Sequence, residues 1–176
     1  MNQHEFYLKA KETAEDDIKD HLNTLNKYAS LCLHVTEFGF RHGTSFAALV
    51  AGTPDVAVTY DVQIREEDIN RFREIDGGIL MDFRQESTLK CRIDPTDLLF
   101  IDTLHTYKQL KEELKLHAGS VKKYIIFHDV ETFGFMGEDG NEPGLIRAIL
   151  EFMAEGDWAV AEYTPICNGL LVIQRI

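Results

Sequence analysis

Leu98-Leu99-Phe100-Ile101-Asp102-Thr103-Leu104-His105 and Tyr124-Ile125-Ile126-Phe127-His128-Asp129 decide how this chain is read. Each is a short, continuous apolar run that ends on acids and histidines. Such runs, set between helical patterns, read as strands buried on both faces of a parallel sheet. In open α/β sheets, ligands sit outside the carboxyl ends of the strands. Two neighbouring strand ends therefore place Asp102, His105, His128 and Asp129 around one crevice. Carboxylates and imidazoles there can hold a divalent metal or carry protons.

The alternation extends in both directions. Upstream, Phe6, Ala10, Ala14, Ile18, Leu22 and Leu25 recur at three or four residues, which predicts a helix over 3–28. Residues 33–38 and 56–62 read as strands, the second rich in β-branched side chains. Between them 43–50 is a small-residue helix that stops at Gly52, with Pro54 beyond. Ile64, Ile69, Phe72 and Ile75 predict a helix ended by Gly77-Gly78, followed by a strand at 79–83 and a short helical turn within 86–93. Downstream of Asp102, Tyr107, Leu110, Leu114 and Ala118 form one helical stripe, with Gly119 as its C-terminal glycine.

Residues 131–143 are polar, acidic and punctuated by glycine, with Phe133, Phe135 and Met136 interspersed. Long loops in compact domains are usually functional or disordered. A helix follows, with Pro143 in its first turn and Ile146, Ile149 and Met153 on its inner face. Two closing strands, 158–163 and 170–174, are joined by a short connection through Pro165, Asn168 and Gly169 and so form an antiparallel pair. The fold class is α/β: a doubly wound, mostly parallel seven-stranded sheet with a C-terminal antiparallel hairpin. An N-terminal helical segment, 1–32, precedes one domain, 33–176.

Composition narrows the function classes. A chain of 176 residues with 44% hydrophobic content can bury a layered core. The formal charge of -12 argues against binding a nucleic-acid backbone, which needs a basic surface. No apolar stretch is long enough to span a bilayer, and no signal-peptide pattern is present. Cys32, Cys91 and Cys167 are far apart and odd in number, which fits free thiols in the cytoplasm.

Glu37-Phe38-Gly39-Phe40-Arg41-His42-Gly43-Thr44-Ser45 is a glycine-bearing turn between the first strand and its helix. Glycine lets the backbone approach a ligand closely. The spacing is not G-x-G-x-x-G and there is no P-loop lysine, which disfavours a pyrophosphate ligand and with it a nicotinamide dehydrogenase. Asp61 ends the second strand, where an acid can accept hydrogen bonds from both ribose hydroxyls. Alone it would be a cap or a solvated acid; beside the glycine turn it points to nucleoside binding. Asp82, read as the end of the third strand, could reach the adenine side.

These residues together resemble class I S-adenosylmethionine-dependent methyltransferases, in the small-molecule O-methyltransferase branch that includes catechol and macrolide-sugar O-methyltransferase-like enzymes. The resemblance spans 33–176 and rests on Glu37-x-Gly39-x-x-x-Gly43-Thr44-Ser45, Asp61, Phe100-Ile101-Asp102-x-x-His105-Thr106-Tyr107, Ile126-Phe127-His128-Asp129-Val130 and Asn168-Gly169-Leu170. It implies S-adenosylmethionine across the first strand ends, with Glu37, Gly39 and Ser45 near its methionine part and Asp61 at the ribose; Gly43, Asp82 and Asp102 are further candidate cofactor-binding residues. It also implies Mg2+ or Mn2+ held by Asp102 and Asp129. Where related enzymes often carry a second acid, this chain has His128, and Val130 follows Asp129. Magnesium prefers oxygen ligands, so the imidazole either moves the preference toward manganese, iron or zinc or leaves the metal weakly held.

His105 is the candidate base, because an unperturbed imidazole titrates near neutrality. The expected reaction is methyl transfer to a small-molecule hydroxyl, with the 131–143 loop covering the substrate. Asp102 and His105 could instead serve only the start of the following helix, and His128 could be a hydrogen-bonded core histidine. Glu138, Asp139 and Glu142 read as solvated acids, and His34, His42 and His117 as surface or structural. Two other function classes stay open: a non-catalytic nucleoside-binding module, and a metal-dependent hydrolase. A homodimer could complete the substrate wall, since one helical segment precedes the first strand.

Overall fold

The computed structural model describes residues 1–14 and 17–176. Strands β1 (His34–Phe38), β2 (Val56–Asp61), β3 (Leu80–Gln85), β4 (Thr96–Ile101), β5 (Val121–His128), β6 (Trp158–Thr164) and β7 (Leu170–Arg175) form one sheet in the order β3-β2-β1-β4-β5-β7-β6. β3, β2, β1, β4 and β5 pair in parallel, and β7 runs antiparallel to both β5 and β6. This is the expected doubly wound sheet with its closing hairpin. Every residue of β4 is buried, as a strand covered on both faces requires.

Helices cover both faces. On one lie α1 (Gln3–Thr13), α2 (Leu22–Ala29), α3 (Thr44–Ala51) and α4 (Glu66–Arg73), packed through Phe6, Leu22, Leu25, Phe46 and Phe72. On the other lie α5 (Tyr107–His117) and α6 (Leu145–Glu155), packed through Leu110, Leu114, Leu145 and Ile149 against Phe38, Leu99 and Ile125. An aromatic cluster of Phe6, Phe40, Phe46, Phe72 and Phe83 fills the first face, with ring centroids 4.8–5.8 Å apart.

Several elements differ from expectation. The single helix predicted over 3–28 is two helices with a 3-10 turn, Asp17–His21, between them; residues 15–16 lie outside the described residues. The helix α1 begins with a capping box made by Asn2 and Glu5. The turn within 86–93 closes once, with the Lys90 and Cys91 amides donating to the Ser87 carbonyl. Pro143 lies outside α6, whose N-cap is Gly144; its carbonyl instead accepts the Tyr107 amide at the start of α5. Of the two roles expected for His117, surface or structural, it takes the structural one: it is fully buried, with Nε2 2.7 Å from the Thr88 carbonyl.

Register positions the site. Phe38 pairs with Tyr60 and Ile101, and Ile101 pairs with Phe127. The residues that follow, Gly39, Asp61, Asp102 and His128-Asp129, therefore gather at the carboxyl ends of the parallel strands.

Candidate active site

Glu37 is the floor of the first half of the site. Its carboxyl is fully buried and accepts hydrogen bonds from Ser45 Oγ and Thr59 Oγ1, both at 2.6 Å. Burial pushes its pKa up to about 8, against the lowering effect of the two hydroxyls. Gly39 and Gly43 carry the chain above it with φ of +96° and +77°. A Cβ on Gly39 would collide with the Asp102 carbonyl, so only glycine lets β1 and β4 part this closely. Asp61 lies at the expected strand end. Its Oδ2 accepts the Arg41 amide at 2.9 Å and its Oδ1 the Gln63 amide at 3.0 Å, which ties the glycine turn to β2.

Asp82 does not belong with these residues. β3 runs on to Gln85, which is the residue paired with Asp61; Asp82 pairs with Val58, inside the strand. Three residues of strand put it about 10 Å back from the edge. Its carboxylate is held by Arg84 Nε at 2.7 Å.

The second half centres on His105. Its Nε2 lies 3.2 Å from Asp102 Oδ1 and 2.9 Å from Asp129 Oδ2, and its Nδ1 lies 2.6 Å from Glu138 Oε2. Phe133 stacks on the ring at 4.9 Å with an interplanar angle of 11°. Burial alone would lower the imidazole pKa; Asp102, Asp129 and Glu138 outweigh it and raise the value to about 10. His105 is thus an imidazolium near neutrality in this arrangement, not the neutral base that its unperturbed pKa suggests. Burial opposes ionisation of Asp129, but the two histidines hold its pKa well below the usual carboxylate range.

His128 is buried beside the same acids. Its Nδ1 lies 3.1 Å from Asp129 Oδ2 and 3.5 Å from Asp102 Oδ1. Its Nε2 lies 3.3 Å from the Cys167 carbonyl. It is both the hydrogen-bonded core histidine and a neighbour of the acids. One ligand atom each from Asp102, His128 and Asp129 falls within 4.8 Å of the others, and Asp129 Oδ1 and His128 Nδ1 are buried without a hydrogen-bond partner. Donors of this kind, left unpaired, fit a divalent cation.

The 131–143 loop folds onto the site. The Phe133 amide donates to the Asp129 carbonyl, and the Glu138 amide to the His105 carbonyl. Glu138 is therefore a partner of His105, and Glu142 pairs with Lys108, where both were expected to be solvated. Phe135 stays exposed. A cleft of about 470 Å3 opens beside Glu138, lined by Leu89, Leu104, Thr106, Gln109 and Glu112 among others. Thr59 and His21, whose Nε2 lies 3.0 Å from the Ile166 and Cys167 carbonyls, were not singled out from sequence.

No protein-family model matches the sequence, and no curated protein matches it. Solved structures do. The O-methyltransferase from Bacillus cereus in complex with SAH is 18% identical, over 99% of this chain and 90% of its own, with a TM-score of 0.65. The O-methyltransferase TomG from Streptomyces achromogenes, involved in tomaymycin synthesis and in complex with SAM, is 17% identical over 89% of this chain and 80% of its own, at 0.63. The N-methyltransferase NodS from Bradyrhizobium japonicum WM9 in complex with SAH is 12% identical over 99% of both chains, at 0.62. The fold is the Rossmann-like methyltransferase fold. Among the described residues no helix is long and apolar enough to cross a membrane.

Proposed function

We propose that this chain is a cytoplasmic enzyme that transfers the methyl group of S-adenosylmethionine to a hydroxyl of a small molecule. The observation that carries the reading is the meeting of two half-sites at adjacent strand ends of a methyltransferase fold. One is the glycine turn over Glu37 and Asp61; the other is the Asp102–His105–Asp129 cluster. The neighbours crystallised with SAM or SAH include both O- and N-methyltransferases, so the oxygen acceptor rests on the cluster and not on the fold.

In this reading Glu37, Gly39, Gly43 and Ser45 face the methionine part of the cofactor, and the free lone pairs of Asp61 receive the ribose hydroxyls. Asp102 and Asp129 would hold Mg2+ or Mn2+. A cation there would lower the pKa of the acceptor hydroxyl and orient it. The 131–143 loop, which brings Glu138 to His105, would cover the acceptor. As the sulfur–methyl bond breaks and the oxygen–methyl bond forms, the hydroxyl proton passes to His105 Nε2. A cation held by Asp102 and Asp129 would draw away two of the three carboxylates that favour a proton on this ring, leaving Glu138 on Nδ1 and Nε2 open to accept. Glu138 on Nδ1 and Phe133 on the ring face hold the imidazole in place.

The test is calorimetric titration with S-adenosylhomocysteine, with and without Mg2+ or Mn2+, on wild type and Asp61→Ala. Micromolar binding lost in the variant supports the reading. No binding under any condition refutes it for this chain. Binding with no turnover of any hydroxyl acceptor favours a nucleoside-binding module instead.

A further inference from the structure

His128 Nδ1 poses a problem of charge and direction. The ring is buried, and Nε2 points at the Cys167 carbonyl, so Nε2 carries a hydrogen. The same carbonyl accepts from His21 Nε2 at 3.0 Å, and the His21 ring meets the His128 ring edge-on at 5.4 Å. The ring orientation is thereby fixed from behind. Nδ1 is left facing Asp102 Oδ1 and Asp129 Oδ2 at 3.5 and 3.1 Å, yet it has no hydrogen-bond partner, because neither oxygen lies in the direction of an Nδ1–H bond. Burial disfavours a proton on this ring, but Asp102 and Asp129 outweigh it, and the charged ring is then held by proximity without an aligned Nδ1–H bond. A metal ion in place of that proton gives the lone pair a partner and satisfies the same two carboxylates. Donors on adjacent corners of an octahedron with bonds of about 2.1 Å lie about 3 Å apart, close to the two separations seen. Asp129 Oδ1 is also buried without a hydrogen-bond partner.

We infer that His128 Nδ1 is a nitrogen ligand of the metal centre, oriented by the Cys167 carbonyl and His21, and that the mixed nitrogen–oxygen donor set selects manganese, iron or zinc over magnesium. Imidazole suits first-row transition ions, whereas magnesium demands oxygen. Partners behind a ligating histidine fix its tautomer and ring orientation, which makes His21 a positioning residue. The inference deepens the proposed function and rests on a cation at Asp102 and Asp129; it does not require methyl transfer.

The experiment uses the full chain stripped of metal by a chelator. Mn2+ binding is followed by electron paramagnetic resonance, with Mg2+ as competitor, for wild type, His128→Asp and His21→Leu. S-adenosylhomocysteine titrations run in parallel. The expected result is one Mn2+ site with a nitrogen hyperfine coupling that disappears in His128→Asp, where the preference for Mn2+ over Mg2+ falls at least about tenfold. Loss of the partner behind the ligand in His21→Leu should weaken Mn2+ about 10- to 100-fold and leave S-adenosylhomocysteine binding unchanged. An unchanged Mn2+/Mg2+ ratio in His128→Asp overturns the inference, as does bound Mn2+ without nitrogen coupling in wild type. Absence of Mn2+ binding while S-adenosylhomocysteine still binds overturns it too, and leaves the methyl-transfer reading standing. If His128→Asp does not fold, the wild-type nitrogen coupling and the His21→Leu affinity decide.

Discussion

Replacing Glu37 with glutamine should make the ligand-free protein more stable at pH 8 and change little near pH 4.5. The carboxyl is fully buried, and its pKa rises from 4.5 to about 8 on folding. For an acid with a raised folded pKa, the native state binds more protons than the unfolded chain between the two values. Stability is therefore fully present below about pH 4.5 and is lost as pH rises through about 8. Each unit is worth about 1.4 kcal/mol, so the loss amounts to about 5 kcal/mol across the window. Glutamine cannot ionise; its amide oxygen can accept from one of the Ser45 and Thr59 hydroxyls while its NH2 group donates to the other, which turns to accept. The measurement is urea unfolding of wild type and Glu37→Gln at half-unit steps from pH 5 to 9, without metal or cofactor. His105 also loses stabilisation as pH rises, because its folded pKa is raised to about 10, but it is common to both proteins and cancels in the difference. The variant's advantage should grow by about 1.4 kcal/mol per unit and level off above pH 8. A difference that stays constant from pH 5 to 8 would refute the reasoning, since Glu37 would then be ionised throughout. In the methyltransferase reading, the cationic sulfonium and amino group of the cofactor favour the ionised carboxylate, so cofactor binding near pH 7 should release a fraction of a proton.

Gly39→Ala should destabilise by at least about 2 kcal/mol, because φ is +96° and the new Cβ meets the Asp102 carbonyl; denaturant melts without ligand read this directly. Phe72→Ala should cost about 3–5 kcal/mol, since its fully buried ring packs on four other phenylalanines, while S-adenosylhomocysteine affinity at low temperature stays within a few-fold. Glu138→Gln should lower the apparent pKa of His105 in the metal-free protein, measured by NMR titration of the imidazole carbon-bound proton. An unmoved titration would show that the 2.6 Å contact does not hold the charge.

The strands that carry the second half-site were legible because both faces of β4, and the last four residues of β5, are buried, which leaves unbroken apolar runs whose ends are visible as a change of chemistry. The end of β3 was not. It is one of the two edge strands of the sheet, Leu80 at its start is largely exposed, and Arg84 and Gln85 at its end are polar. An edge strand needs no apolar finish, so Asp82 looked terminal when it is internal. Thr59 announces only β-propensity in the sequence; its hydroxyl matters because parallel pairing sets it opposite Glu37. Glu138 reaches His105 from 33 positions away, and His21 reaches the Cys167 carbonyl from 146. Contacts of such range leave no periodic trace.

The turn between β6 and β7 shows how those distant contacts act together. Cys167, Asn168 and Gly169 take successive positive φ values of 44°, 66° and 88°, and two of the three are not glycine. Strain of this kind persists where surrounding contacts over-determine the backbone. Here the Cys167 carbonyl takes His21 and His128, while the Asn168 carbonyl accepts the Glu131 amide and the Asn168 side chain accepts from Thr132 and donates to Asp17. The turn thus joins the N-terminal segment, the base of the 131–143 loop and the ring of His128. Relaxing it would release the imidazole orientation and the loop that brings Glu138 to His105 in one event, so the unfavourable backbone is maintained by the same contacts that assemble the site.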